Sequence, residues 1–361
     1  MNHSTPKLVP VSTNLLSLDL GDRDSRYFVI DEAGAKVGEG SVRTTREALQ
    51  ALFARFSPRE VALEVGGHSP WVSRLAESQG IRATVANARK LSLITRNERK
   101  NDRTDAELLA RLARADRKLL SPVRHRSEQS QQDLAILRAR SELVATRTAL
   151  INHVRGQVKS SGARLSSCSS ESFHKRVIAE LPAELQPALV PMVQTIEHMT
   201  ATIRGMEAQI ATIAAQRYPR SALLQQVGGV GPQVALHFML TIDEPARMRS
   251  SRQVGPFLGL TPRTRESGDS NPQLRITKAG DRETRRLLVI SANYILGRFG
   301  PDCDLRRFGL KIAERGGKNA RKRAKVAVAR KLAVLLHRLW TTGEAYDPFH
   351  LARLRGESVP A

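Results

Sequence analysis

The chain has little of what small secreted or membrane proteins depend on. Only two of its 361 residues are cysteine, Cys168 and Cys303, which is too few for a disulfide framework or for the four Cys or His ligands of a usual structural zinc site. Aromatic residues make up 4% of the chain and hydrophobic residues 40%, so the cores must be built from Leu, Ile, Val and Ala, which suits long helices with aliphatic seams. No apolar run reaches the roughly 20 residues that span a bilayer, and Met1 to Val11 lacks the apolar stretch of a secretory signal. These absences predict a soluble, cytoplasmic protein with no membrane partner. Carboxylates are scarce beside cations: 58 Lys and Arg face 35 Asp and Glu, a net charge of +23, which points to a polyanionic partner. The length corresponds to about two domains or slightly more.

The pattern predicts α/β plus α. Over residues 12–122, Leu15, Leu16 and Leu18 and then Tyr27, Phe28, Val29 and Ile30 form two apolar runs broken at Gly21-Asp22, a hairpin. A short third strand around Val42, a helix Thr45–Phe56, a strand Glu60–Val65, a helix about Pro70–Gln79 and a strand Arg82–Ala86 follow, which is a mixed sheet covered by helices. Over 123–217 the pattern is helical. Leu137, Val144, Ile151 and Val158 recur every seventh residue, and after a Ser/Gly-rich break Met192, Ile196, Met199, Ile203, Met206, Ile210 and Ile213 alternate four and three apart. This seam fits an antiparallel coiled-coil arm, pairing with another subunit, or an ordinary bundle core. Residues 218–348 form a helix-rich third block, and 1–11 and 349–361 read as tails. From Arg298 to Lys331 there are 12 Lys or Arg against 3 Asp or Glu, among them Arg321, Lys322, Arg323 and Lys325, a local basic face.

Five segments carry chemistry. Asp19 interrupts an apolar strand, where a carboxylate without a partner is costly. Glu64 ends a later strand, and Asp102 and Asp105, three apart at a helix start, can share a face. Four such carboxylates suit hard cations such as Mg²⁺, and a pair of ions about 3.5–4 Å apart supports phosphoryl transfer. The bland reading makes Asp102 a helix cap, Asp105 a first-turn acid and Asp19 a turn residue. In Leu223–Phe238, Gly229 and Gly231 sit between two apolar helical stretches, a helix-hairpin-helix-like pattern that can offer backbone N–H groups to a phosphate or simply turn the chain. In Phe257–Leu288, Ser267 and Gly268 lie among Arg263, Arg265 and Lys278. Taken alone, this is a Ser-Gly turn in a basic loop, because a serine needs activation to act as a nucleophile.

Taken together, SLDLGDRDS, ALEVGGHSPW, KNDRTDAELLARLA, QVGGVGPQVA and GLTPRTRESG…ITKAGDRETRRLL resemble, in order and over about residues 14–348, the DEDD transposases of bacterial insertion sequences, the IS one-ten family, also described as bridge-RNA-guided serine recombinases. The resemblance implies an N-terminal RuvC-like, RNase-H-type domain, a coiled-coil arm and a C-terminal transposase domain. It assigns the metal-binding acids to Asp19, Glu64, Asp102 and Asp105 and the nucleophile to Ser267. It further implies two Mg²⁺ ions per site, DNA substrates, a non-coding guide RNA, and a homo-oligomer from dimer to tetramer that combines the acids of one subunit with the serine of another. Val65-Gly66-Gly67-His68 after Glu64 and Asn101 before Asp102 depart from the family pattern without removing a ligand. The alternatives are a metal-dependent junction nuclease that uses the same acids with water as nucleophile, and a non-catalytic nucleic-acid-binding protein.

Overall fold

The computed structural model describes residues 14–87, 102–267, 272 and 274–357, apart from the side chains of Asp102, Arg103 and Lys318. The chain forms two compact units, Met1–His125 and Arg126–Ala361. In the first, strands β1 (Leu15–Asp19), β2 (Asp24–Ile30) and β3 (Lys36–Arg43) precede helix α1 (Arg46–Phe56), β4 (Glu60–Glu64), α2 (Ser69–Ser78), β5 (Arg82–Ala86) and α3 (Asp102–Ala115). The sheet order is β3-β2-β1-β4-β5. β1 runs antiparallel to β2 and parallel to β4, and β5 runs parallel to β4.

The two central strands are buried on both sides, so they read in sequence as apolar runs rather than alternations. Leu16, Leu18, Val61 and Leu63 face one way, toward Leu49 and Phe53 of α1 and Val72 and Leu75 of α2. Leu15 and Ala62 face the other, with Phe28 and Ile30, toward Ala106, Leu109, Ala110 and Ala113 of α3. Thr45 caps α1 by accepting the Ala48 N–H at 3.3 Å. The third strand is longer than its sequence signal at Val42. It is an edge strand whose residues are exposed or half-buried, so no apolar stripe marks its length.

The second unit is helical: α4 (Glu128–Ser160), α5 (Phe173–Val177), α6 (Gln186–Arg217), α7 (Ser221–Gln225), α8 (Pro232–Ile242), α9 (Val254–Phe257), α10 (Arg282–Leu296), α11 (Asp304–Ala313), α12 (Gly317–Thr342) and α13 (His350–Leu354). Among the described residues no helix is long and apolar enough to cross a membrane. α4 and α6 pack antiparallel: Ile151, Val154 and Val158 meet Leu189, Val193 and Ile196 at one end, and Leu134 and Leu137 meet Ile210, Ile213 and α8 at the other. The heptad positions Ile196, Met199, Ile203, Ile210 and Ile213 are buried, and at both ends of the pair the covering apolar partner is α4 of the same chain. A charge placed at Ile210 therefore strikes the fold itself.

Between these ends, polar contacts interleave with the buried Met199 and Ile203. Arg140 is ion-paired with Glu207, and the buried Arg147 donates to Thr200 Oγ1 at 3.2 Å and to Glu171 Oε1 at 3.0 Å. Near the end of α6, Asp133 is buried and accepts from Arg217 and from the Tyr218 hydroxyl at 2.8 Å. The remaining core gathers around α12, whose Val328, Leu332, Leu336 and Trp340 are buried with Phe238, Leu258 and Leu288.

Candidate active site

Asp19 and Glu64 are the last residues of β1 and β4. The two strands are parallel with Leu18 opposite Leu63, so the acids occupy adjacent positions at the carboxyl edge of the sheet. Their side chains belong to the face that carries Leu15 and Ala62, because side chains alternate along a strand, and that face is the one covered by α3. Asp105 lies in the first turn of α3 beside Ala106 and is 9% exposed. Ser17, one alternation before Asp19, is fully buried and donates to the Ala106 carbonyl at 2.6 Å, with the Phe28 carbonyl at 3.2 Å. One hydroxyl thus ties the acid-bearing turn of α3 to the acid-bearing strand.

Asp102 opens α3 one turn before Asp105, and its side chain lies outside the described residues, as does Asn101. Among the described residues, no three His, Cys, Asp or Glu side chains lie close enough together to share a metal ion. The donor set itself is all carboxylate, the chemistry that hard divalent cations select. The loop after Glu64 is braced. Ser69 Oγ accepts from the Gly66 N–H at 3.0 Å and lies 2.8 Å from its carbonyl, while the Trp71 indole donates to His68 Nδ1 at 3.0 Å. That contact leaves Nε2 of His68 as the protonated nitrogen of the neutral ring, 3.7 Å from Asp22.

Ser17 escaped the sequence reading because nothing local distinguishes it from a core serine. The expected cost of Ser17→Ala is about 1–2 kcal/mol of stability in the first unit, since it leaves a buried carbonyl with one partner fewer. Exchange of the α3 amides should accelerate before that of β1; equal protection in both would remove Ser17 as the tie.

Ser267 lies in the second unit, on a segment with the hydrogen bonding of a narrow two-stranded stalk rather than a plain loop. Thr277 N donates to Thr261 O at 2.9 Å and Arg263 N to Arg275 O at 3.0 Å, around a bridge between Pro262 and Ile276. At the foot, Gly259 (φ 68°) and Gly280 (φ 74°) cross so closely that an added Cβ would lie 2.2 Å from the Ala279 carbonyl oxygen and 2.1 Å from that of Phe257, so only glycine fits. Arg285 staples the crossing by donating to the carbonyls of Leu258 at 3.0 Å and Ala279 at 2.5 Å.

Asp281 then caps α10 through the Thr284 N–H at 2.8 Å and takes Arg138 at 2.8 Å. Burial pushes this carboxyl up, but the Thr284 N–H, the charge of His237 and the Arg138 hydrogen bond outweigh it and hold the pKa down at about 2. Ser267, Arg263 and Arg265 are exposed along the stalk, and Lys278 is exposed at its foot, where its backbone N–H donates to the Gly259 carbonyl at 3.1 Å; Gly268 lies outside the described residues.

Gly229 needs its glycine: φ is 84°, and a Cβ would meet the Tyr294 ring at 2.8 Å. Gly231 precedes α8 with open space around it. On α12, Arg321, Lys322 and Lys325 border with Gly317 a hollow of about 410 Å³, and Arg323 is exposed beside them.

Residues 16–161 match a DEDD transposase family model of IS110 type, described as "Transposase", and residues 221–306 match the model "Transposase IS116/IS110/IS902 family". The chain is 29% identical over 345 residues to "Transposase for insertion sequence element IS1111A" of Coxiella burnetii, covering 92% of this chain and 91% of that one. It is 28% identical to "Probable family 20 transposase" of Pseudomonas aeruginosa, over 84% of this chain and 90% of that protein. It is also 24% identical to "Pilin gene-inverting protein" of Moraxella bovis, over 42% of this chain and 47% of that one. The first family match contains Asp19, Glu64, Asp102 and Asp105, and the second contains Ser267 with its stalk. The chain belongs to the IS110 family of insertion-sequence transposases.

Proposed function

We propose that the chain excises and inserts its insertion sequence through a covalent Ser267–DNA intermediate, assisted by Mg²⁺ and directed by a structured non-coding RNA that pairs with both DNAs. The observation that carries the reading is the pair of acids at the carboxyl ends of the neighbouring parallel strands β1 and β4, on the face where Ser17 fastens the Asp105 turn. Asp19, Glu64, Asp102 and Asp105 would hold the metal, two ions in the full arrangement, and the bound cation supplies charge neutralisation at the reacting phosphate.

The chain's own groups do the rest. Ser267 Oγ attacks phosphorus and loses its proton, the P–O bond to one deoxyribose breaks, and that strand end leaves as a hydroxyl. Attack on the serine phosphodiester by a hydroxyl of the new partner strand restores Ser267 and joins the DNA. One ester bond replaces another at each step, so no nucleotide triphosphate is needed. Arg263 and Arg265 on the stalk and Lys278 at its foot hold the DNA phosphates. Gly229, Gly231, Arg321, Lys322, Arg323 and Lys325 grip the sugar-phosphate backbone without regard to sequence. Acids from one subunit act with the serine of another, in an assembly from dimer to tetramer.

The test is a denaturing gel of end-labelled DNA incubated with the protein, Mg²⁺ and the element's flanking non-coding transcript. A labelled band at protein-plus-DNA mass is expected, absent with Ser267→Ala and absent without Mg²⁺. DNA cut without an adduct, equally by wild type and Ser267→Ala, would instead identify a junction nuclease with water as its nucleophile.

A further inference from the structure

A cavity of about 980 Å³ runs along α12, at the upper limit of the roughly 300–1,000 Å³ typical of pockets for small ligands. Arg330, Lys331, Val334, Leu335 and Arg338 line it from one stripe of the helix, and Arg252, just before α9, lines it as well. Leu305, Val334, Leu335 and Pro348 give it an apolar floor, and Tyr346 adds an aromatic ring.

The charge inside is not balanced. Asp304 is occupied in capping α13 through the Leu351 and Ala352 N–H groups at 2.6 and 3.2 Å, Asp347 pairs with Arg353 at 2.6 Å, and Arg338 is held by Glu344 at 3.1 Å. Among the described residues the side chain of neither Arg252 nor Arg330 makes an ion pair or hydrogen bond. Lys331 lies 3.9 Å from the centre of the Phe308 ring. Burial first, and then the charges of Arg355 and Arg330 against the opposing pull of Asp304, lower its pKa.

A cavity lined by both cations and apolar and aromatic surface matches a strand whose bases are free to turn inward while its phosphates meet the cations. A duplex cannot do this, because its bases already face each other. Thr261 lines the cavity and also begins the stalk, accepting the Thr277 N–H at 2.9 Å, so the cavity adjoins the base of the segment that carries Ser267. We infer that this groove is a binding site for a short unpaired DNA segment next to the cleaved phosphate, its bases on the apolar floor and its phosphates on Arg252, Arg330 and Lys331. The assignment of the strand as DNA rests on the reading of Ser267 as the nucleophile; the groove's preference for unpaired bases does not.

The test is fluorescence anisotropy of the full-length protein in EDTA, which needs no cleavage, with three labelled probes: an oligo-dT of about ten nucleotides, the matching oligo-U, and a duplex of unrelated sequence. The double variant Arg252→Gln, Arg330→Gln is compared with Arg321→Gln, Lys322→Gln, which removes the same charge elsewhere. The groove variant should lose about tenfold in affinity for oligo-dT and less than about twofold for duplex, whereas the comparison variant weakens both alike. Unchanged duplex binding doubles as the check on folding. Equal losses for single strand and duplex, no loss at all, or tighter wild-type binding of oligo-U than of oligo-dT would each overturn the proposal. Loss of the Ser267 adduct reading would leave the strand-versus-duplex result standing, so the two can fail separately.

Discussion

Asp19→Asn is expected to cut strand cleavage by about a thousandfold while leaving the melting temperature unchanged or raised. The side chain ends β1 beside Glu64, on the face covered by the Asp105 turn. Like charges held on one face oppose one another, and the neutral isostere removes one of them without a change of shape. On the proposed function, what disappears is one ligand of the metal that neutralises charge at the reacting phosphate, worth several kcal/mol, which converts to about a thousandfold in rate. Two measurements separate site from scaffold. Mg²⁺ should raise the melting temperature of the wild type, because a ligand that binds only the folded state stabilises it, and should leave that of Asp19→Asn where it was. Cleavage within tenfold of wild type, or an undiminished response to Mg²⁺, would remove Asp19 from the site.

The parts of this fold legible in sequence are those whose signals are local. β1 and β4 announce themselves as apolar runs, α1 by its Thr45 cap, and α4 by a long helical stretch without a break. The segments that match the two family models were recognisable from their motifs, and the expectation that Asp19 and Glu64 become neighbours if their strands pair is met by the parallel register of β1 and β4. What escaped is what needs a partner far along the chain. Ser17 reaches Ala106 across 89 positions, and the crossing of Gly259 with Gly280 turns an apparent loop into a stalk. The seam on α6 was plain as a pattern, yet a heptad carries no address, and its apolar side chains found α4 of the same chain. Buried polar groups were least legible, since Asp133 or Arg147 in a helix reads as a solvated face until tertiary packing supplies Tyr218 or Thr200.

Arg117→Ala should cost the first unit about 3 kcal/mol and reverse part of its pH dependence. Glu60 opens β4 with no exposure, a position where a lone carboxylate is untenable. Thr84 donates to it at 2.6 Å and Arg117 at 2.8 Å from Nε and 2.6 Å from Nη2, with Arg82 at 3.9 Å. Burial alone raises the Glu60 pKa, but the hydrogen bonds from Arg117 and Thr84 and the charges of Arg117 and Arg82 overcome it, leaving the pKa below its ordinary value. A depressed carboxyl stabilises the fold above its unfolded pKa, and that stability is lost as pH falls through the folded value.

Removing one partner of a buried pair costs about 3–5 kcal/mol, and the lower end applies because Arg117 itself is half-exposed and water can replace part of it. Without the guanidinium, burial dominates and Glu60 prefers its proton, so the variant's deficit relative to wild type should shrink on acidification toward pH ~4. Hydrogen exchange of the β4 amides reads the first unit directly. Arg117→Leu with Glu60→Gln keeps an acceptor for Thr84 and strands no charge, and it should recover most of the loss. A deficit that stays constant with pH, or a double variant no better than Arg117→Ala, would show that Arg117 acts through packing and not through the charge of Glu60.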